Sequence, residues 1–204
     1  MAMMVKIMGI KLRILTVWIP KFLIKRELNG TNNITNNYLD QLIVEQGGAP
    51  PKQEVLKGNL ADRRKMMAMG HNKRVKLLMD LLGETTAMEE GSKRMFEAGL
   101  ILGQNARKGL GVGNGVEDTI KAAKILYKIL GIEFSTENTD GNIILWVSSC
   151  ALSKYYTPQT CSILSYADKG VLKGLNKNMD LKFVEKITLG SKRCKACINM
   201  EGGI

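Results

Sequence analysis

The chain has 204 residues and a formal net charge of +11, with 45% hydrophobic and 24% charged residues. This composition excludes an intrinsically disordered chain, and the length allows one packed domain together with an extension. The basic residues are spread along the chain and aromatic residues make up only 5%, so we expect no specific nucleic-acid partner.

Residues 5–28 mix apolar side chains with lysine and arginine, and the longest uncharged stretch is too short to span a bilayer. Trp18 and Phe22 fit a basic segment that lies on a membrane surface, interrupted at Pro20, and an upstream extension or docking strand fits as well. The segment lacks a small-residue cleavage pattern, so we expect a cytoplasmic protein with reduced thiols.

The chain is predicted to divide in two near Met66. Residues 29–37 are rich in Asn, Thr and Gly and are typical of a linker, and the glycines and prolines of residues 47–51 form a second break. We therefore expect a basic extension and linker over residues 1–65 and the compact domain over residues 66–204.

The first strong helical pattern runs from residue 68 to residue 82, with Gly83 as its stop. Thr86 and Glu89 then match a capping box, in which the hydroxyl and the carboxylate satisfy free backbone donors. This pattern predicts that a second helix begins there and ends near Gly109.

A further helix is predicted over residues 116–130, and the glycine-rich run 109–115 connects it to the helix before. Because a helix and not a strand precedes this run, we interpret it as an interhelical turn and not as a dinucleotide-binding loop. His71 is the only histidine, which excludes schemes that need two imidazoles, and its polar neighbours predict a surface position.

After residue 131 the pattern changes to a period of two, which predicts an antiparallel sheet. A hairpin with its turn at 138–141 and its second strand over 142–149 comes first. A helix over 157–175 follows, capped by Thr and Pro, and then strands over 181–189 and 194–198.

All four cysteines lie in the last quarter of the chain, at Cys150, Cys161, Cys194 and Cys197. Their clustering favours a binding or catalytic site, although four buried core thiols would give the same pattern. Cys161 and Asp168 are seven residues apart in a predicted helix, so we expect both side chains on one face.

Glu185 falls in an otherwise apolar row of the third predicted strand, where a carboxylate needs a proton, a cation or a metal ion. Cys194 and Cys197 follow a glycine turn with the spacing of a zinc chelate or a redox pair. In a regular strand the same spacing would place the two thiols on opposite faces.

The stretch from about residue 99 to residue 198 resembles the 4-vinyl reductase domain superfamily. The resemblance rests on the order of a helix entering GLGVG, a helix ending LGI, a turn TDGN, the run CSILSYADKGVLKGL, a strand with Glu185, and GSKRC. It implies an α+β fold with helices packed on an antiparallel sheet, similar to TRAPP subunits and haem nitric-oxide sensors. It also implies a ligand-sensing role and a homodimer.

Metal-binding members of this superfamily hold zinc through one cysteine at a helix start, a strand glutamate and two further cysteines. This chain has Thr188 where the family often has the fourth ligand, so Cys197 or Cys150 would have to supply it. The positions that match the family pattern are Cys161, Glu185 and Cys194.

A second resemblance, to L-2-amino-thiazoline-4-carboxylic acid hydrolases, rests on the succession of Cys150, Cys161 and Asp168 and on TLGSKRC. It implies that Cys161 is a nucleophile and that Asp168 or Glu185 transfers protons.

Three functional hypotheses follow. The first is a sensor-like domain that binds a small hydrophobic or heterocyclic ligand, with the cysteines and Glu185 as a zinc site or ligand anchor. The second is a cysteine-dependent hydrolase or reductase that acts on a small cyclic substrate. The third is a dimerising interaction scaffold.

Overall fold

The computed structural model describes residues 12, 14–139 and 142–200. After a helical turn at residues 14–17, this part of the chain forms five longer helices and four strands. The helices are α1 Lys21–Glu45, α2 Leu60–Leu82, α3 Glu84–Leu110, α4 Val116–Leu130 and α5 Pro158–Leu175. The strands are β1 Ile132–Thr139, β2 Asn142–Cys150, β3 Met179–Glu185 and β4 Cys194–Met200.

The four strands form one antiparallel sheet in the order β1-β2-β4-β3. Leu145 on β2 lies opposite Ala196 on β4, and both are buried on the face that carries the helices. Their neighbours Trp146 and Lys195 lie on the outer face, as the alternation of side chains in a strand requires. The predicted fold class, α+β with helices packed on an antiparallel sheet, is confirmed.

The core consists of three apolar clusters that meet around α5. One joins the inner face of the sheet to α4 and α5, and includes Leu145, Ile198 and Leu172. A second fills the space between α1, α2, α3 and α5. The third packs α4 against the N-terminal part of the chain, with Leu28 fully buried. The cavity described below lies where the sheet and the helices meet.

The linker predicted over residues 29–37 is wrong, because these residues lie in the middle of α1. Asn32, Thr35 and Asn36 are buried, and the helix continues into the core residues Leu39 and Leu42. Tertiary packing overrides the low helix propensity of Asn and Thr here.

The predicted domain boundary at residue 66 lies inside α2, which begins at Leu60. Asn59 caps this helix by accepting hydrogen bonds from the backbone of Ala61 and Asp62. The division into residues 1–65 and 66–204 stays a prediction about independent folding.

Three of the features predicted from the sequence are confirmed by the structure. Gly83 ends α2 with φ 75°, the hairpin of β1 and β2 forms, and Thr157 caps α5. The turn residues 140 and 141 lie outside the described part of the chain. The capping box at Thr86 is wrong, because α3 begins at Glu84, directly after Gly83.

The third strand differs from its prediction in a way that matters for the site. It ends at Glu185 with a bulge between Phe183 and Glu185, and a short 3-10 helix, Ile187–Leu189, follows. The bulge inserts one extra residue and shifts the alternation of faces. Glu185 is therefore exposed and does not face the core.

Candidate functional site

A cavity of about 110 Å³ lies between the inner face of the sheet and the helices α2, α3 and α5. Most of its wall is apolar and is formed by residues of several elements. Among them are Met67, Leu102, Val147, Leu164, Val171 and Phe183. An engineered apolar cavity of about 150 Å³ in another protein binds benzene, so this space suits a ligand of about one ring.

Helix α5 places three polar side chains in this wall, at Cys161, Ser165 and Asp168. The spacing of four and three residues puts them on one face, as the sequence predicts for Cys161 and Asp168. Thr157 fixes the start of the helix, since its hydroxyl accepts a hydrogen bond of 3.1 Å from the backbone N–H of Thr160.

Asp168 is the most perturbed carboxyl group of the cavity. Desolvation raises its pKa from 3.8 to about 7, although the Tyr127 hydroxyl and the Lys186 ammonium both act in the opposite direction. The Tyr127 hydroxyl is buried beside it and finds no hydrogen-bond partner of ordinary geometry among the described residues. Near neutral pH, Asp168 can therefore donate or accept a hydrogen bond.

Lys186 supplies the positive charge of the site, and the bulge in β3 brings it to the cavity. Its ammonium donates a 2.9 Å hydrogen bond to the hydroxyl of Ser165 and lies 5.8 Å from the ring centroid of Phe183. Burial lowers the pKa of Lys186, while Cys161 and Asp168 raise it. The sequence pattern predicted Glu185 as the charged residue that faces the core and did not indicate Lys186. The reason is that a bulge leaves no periodic signal in the sequence.

Three of the four thiols line the cavity, at Cys150, Cys161 and Cys194. Burial raises the pKa of each thiol, so the protonated form is favoured at neutral pH. The sulfur of Cys194 also accepts a hydrogen bond of 3.3 Å from the backbone N–H of Ile187. Burial therefore favours these thiols as polarisable wall groups over activated nucleophiles.

His71 closes another part of the wall together with Tyr156 and Thr35. The Thr35 hydroxyl is placed to donate to the carbonyl of Thr31, at 2.9 Å, so it accepts from Nε2–H of His71, also at 2.9 Å. Nδ1 of His71 then accepts from the Tyr156 hydroxyl at 2.8 Å. Both ring nitrogens are engaged within the protein.

The predicted surface position of His71 is wrong, because the side chain is fully buried. Desolvation and then the charge of Arg74 lower its pKa to about 3, so the ring is neutral. Its position could have been found, since His71 is four residues from Met67 and from Val75, both buried on the same face of α2.

The structure brings only some of the predicted metal ligands to one place. Cys194 and Cys197 both lie within β4, where their spacing of three puts them on opposite faces of the sheet. Glu185 is exposed, and only Cys161 and Cys194 of the predicted set line the cavity, together with the alternative ligand Cys150. In the described part of the chain no three His, Cys, Asp or Glu side chains could hold a metal ion.

A longer apolar groove of about 600 Å³ lies beside the cavity, between residues 14–34, α3 and α4. Four residues line both the cavity and the groove, so the two spaces are neighbours. These are Thr31, Leu102, Leu130 and Val171. No helix within residues 12, 14–139 and 142–200 is long and apolar enough to cross a membrane.

The fold and the site together define an α+β domain with an internal, mainly apolar cavity. No family model and no curated protein matches the chain. Among solved structures, it is similar to a trafficking protein particle complex subunit 3 from Naegleria fowleri covalently bound to palmitic acid. That match has a TM-score of 0.54 and 15% identity, and covers 69% of this chain and 96% of the other.

The chain is also similar to the phenol-responsive sensory domain of the transcription activator PoxR, solved with phenol. The TM-score is 0.50 at 13% identity, and the match covers 73% of this chain and 77% of that domain. A weaker similarity, with a TM-score of 0.44 and 13% identity, is to an H-NOX protein from S. oneidensis, and it covers 83% of this chain and 98% of that protein.

Proposed function

We propose that this chain is a sensor-like domain that binds a small hydrophobic ligand in the inner cavity. The observation that carries the proposal is a mainly apolar cavity of one-ring size, in whose wall Asp168, Lys186 and Tyr127 provide polar groups that can bind a ligand. Ligand sites typically combine such apolar walls with a few polar groups that fix orientation. A ring with one hydroxyl or carbonyl group fits this chemistry.

The similar folds support this proposal in a general way. One of them was solved with phenol and another with palmitic acid. We propose further that the chain is a divergent member of the 4-vinyl reductase superfamily and acts in the cytoplasm as a homodimer, as the sequence resemblance implies. Zinc is not part of the proposal, because Glu185 is exposed and Cys197 lies on the face of β4 opposite to Cys194.

Isothermal titration calorimetry with phenol tests the proposal on the full chain. We expect binding to the wild type and about tenfold or weaker binding to Asp168→Asn and Lys186→Met, because a polar ligand group loses its partner. Val147→Phe should fill the cavity and abolish binding. The matched control is Ser148→Phe, which adds the same ring at an exposed position of β2.

Two results would contradict the proposal. Phenol and cyclohexanol could both fail to bind the folded wild type, or Val147→Phe could leave binding unchanged. If none of the tested compounds binds and the chain forms a stable dimer, the dimerising scaffold is favoured instead.

A second candidate function is a cysteine-dependent hydrolase or reductase, because Cys161 and Asp168 line the same cavity. The raised pKa of the thiol opposes this function, while the charge of Lys186 and the Thr188 hydroxyl lower that pKa. Intact mass spectrometry after exposure to p-nitrophenyl acetate separates the candidates. A transient acyl adduct that Cys161→Ser removes, with turnover, would support catalysis.

A further inference from the structure

The N-terminal part of the described chain exposes four large apolar side chains in close succession. Ile14, Val17, Trp18 and Phe22 form this surface, which we call the N-terminal apolar cluster, with Val17 81% and Phe22 69% exposed. Single exposed apolar residues are common on protein surfaces, but four large ones within nine residues indicate an interaction surface.

The cluster is exposed because its segment is already docked by other side chains. Leu12, Ile19 and Ile24 are buried in the core, so the segment is fixed on the protein. The break in the helix before α1 turns Val17 and Trp18 outward, and the ammonium of Lys128 donates a 3.3 Å hydrogen bond to the carbonyl of Val17.

The charged residues that precede Glu27 in the sequence are all basic. The first 26 residues contain six lysines and arginines and neither aspartate nor glutamate. Lys21 is exposed next to Phe22, and Lys128 approaches from α4. The first acidic residue, Glu27, pairs with Arg26.

We propose that the N-terminal apolar cluster docks this protein on an anionic lipid bilayer, with Trp18 and Phe22 inserted at the interface. Tryptophan favours the boundary between headgroups and acyl chains, and nearby lysines are attracted by anionic headgroups. A protein partner would also bury apolar side chains. The excess of basic residues in the sequence on both sides of the aromatic pair favours the lipid surface.

Co-sedimentation of the full chain with vesicles tests the proposal. Vesicles of phosphatidylcholine with phosphatidylserine should bind the protein, and vesicles of phosphatidylcholine alone should bind it about tenfold more weakly. Added salt should reduce binding to the anionic vesicles. Fluorescence of the Trp146→Phe variant, in which Trp18 is the remaining tryptophan, should shift to the blue on binding.

The decisive variant is Trp18→Ser with Phe22→Ser, which should lose at least about tenfold in partitioning. Its matched control is Val55→Ser with Leu189→Ser, because these two side chains are exposed to a similar degree elsewhere on the surface. Melting curves of both variants test that each one is folded.

Three results would overturn the proposal. The wild type could fail to bind anionic vesicles, both double variants could bind equally well, or Trp18→Ser with Phe22→Ser could change only the oligomeric state. The last result would assign the cluster to a protein interface. Ligand binding in the inner cavity is measured separately and does not depend on these outcomes.

Discussion

Asp168 makes stability depend on pH in a direction opposite to that of most carboxyl groups. Its pKa is raised to about 7 in the folded protein, from 3.8 ordinarily, so the folded state holds the proton more tightly. The resulting stabilisation is fully present below about pH 4 and is lost as the pH rises through about 7. Asp168→Asn should therefore gain stability relative to the wild type over this range, by up to a few kcal/mol at about 1.4 kcal/mol per pKa unit.

Urea unfolding of both proteins across this pH range measures the difference in the free energy of unfolding. Asp80→Asn is the control, because Asp80 is an exposed residue paired with Lys76 on the same helix. If the stability difference between Asp168→Asn and the wild type does not change with pH, the pKa of Asp168 is not raised by burial.

Lys186 should control the reactivity of the cavity thiols. Its positive charge lowers the pKa of Cys161, so Lys186→Met is expected to raise that pKa and to slow alkylation of Cys161 at neutral pH. The rate of iodoacetamide labelling, followed by peptide mass spectrometry, measures the effect. Lys182→Met, at an exposed position of β3, should leave the rate unchanged.

The residues of the site differ in how far the sequence could reveal them. Helical spacing correctly put Cys161 and Asp168 on one face, and their roles stay predictions. Lys186 lines the cavity and Glu185 does not, because β3 contains a bulge. The bulge is set by the pairing of β3 with β4. Local alternation contains no information about that pairing.

At the level of elements, α3 and α5 pack unusually closely through glycines on both helices. A Cβ atom at Gly99 would overlap the carbonyl oxygen of Ala167, and one at Gly170 would overlap that of Phe96. Backbone atoms cannot move aside as a flexible side chain can. The contact positions α5, and with it Cys161 and Asp168, over the cavity.

Gly99→Ala should therefore destabilise the protein by at least about 3 kcal/mol, because overpacked helices must separate. The matched control is Gly109→Ala on the same helix, where an added Cβ meets nothing within 4 Å. This control should change stability by less than about 1 kcal/mol. Equal stabilities of the two variants, measured by chemical denaturation, would contradict the close contact.

The elements that the sequence predicts best are those whose local signals agree with their packing. The helix Val116–Leu130 has capping glycines and a clear apolar face, and its predicted bounds are confirmed. Helix α1 shows the opposite case, because Asn32, Thr35 and Asn36 are polar residues on its buried side. Thr35 is satisfied there by His71, a partner 36 residues away that local composition does not indicate.

For the whole molecule, the open question is whether residues 66–204 fold without the preceding part. Helix α1 contributes Leu39, Leu42 and Ile43 to the core cluster between α2, α3 and α5. It also supplies Asp40, whose carboxylate accepts hydrogen bonds of 2.7 and 2.9 Å from the buried guanidinium of Arg74. Removal of one partner from such a pair costs about 3–5 kcal/mol, in addition to the lost apolar contacts.

A chain that starts at residue 66 should therefore fail to fold cooperatively, since its losses approach the total stability of a typical domain. A chain that starts at Lys21 keeps α1 and should melt in a single transition, which makes it the control. Circular dichroism during heating measures both. Cooperative melting of the shorter chain would instead establish residues 1–65 as a dispensable extension, as the composition of residues 29–37 predicts.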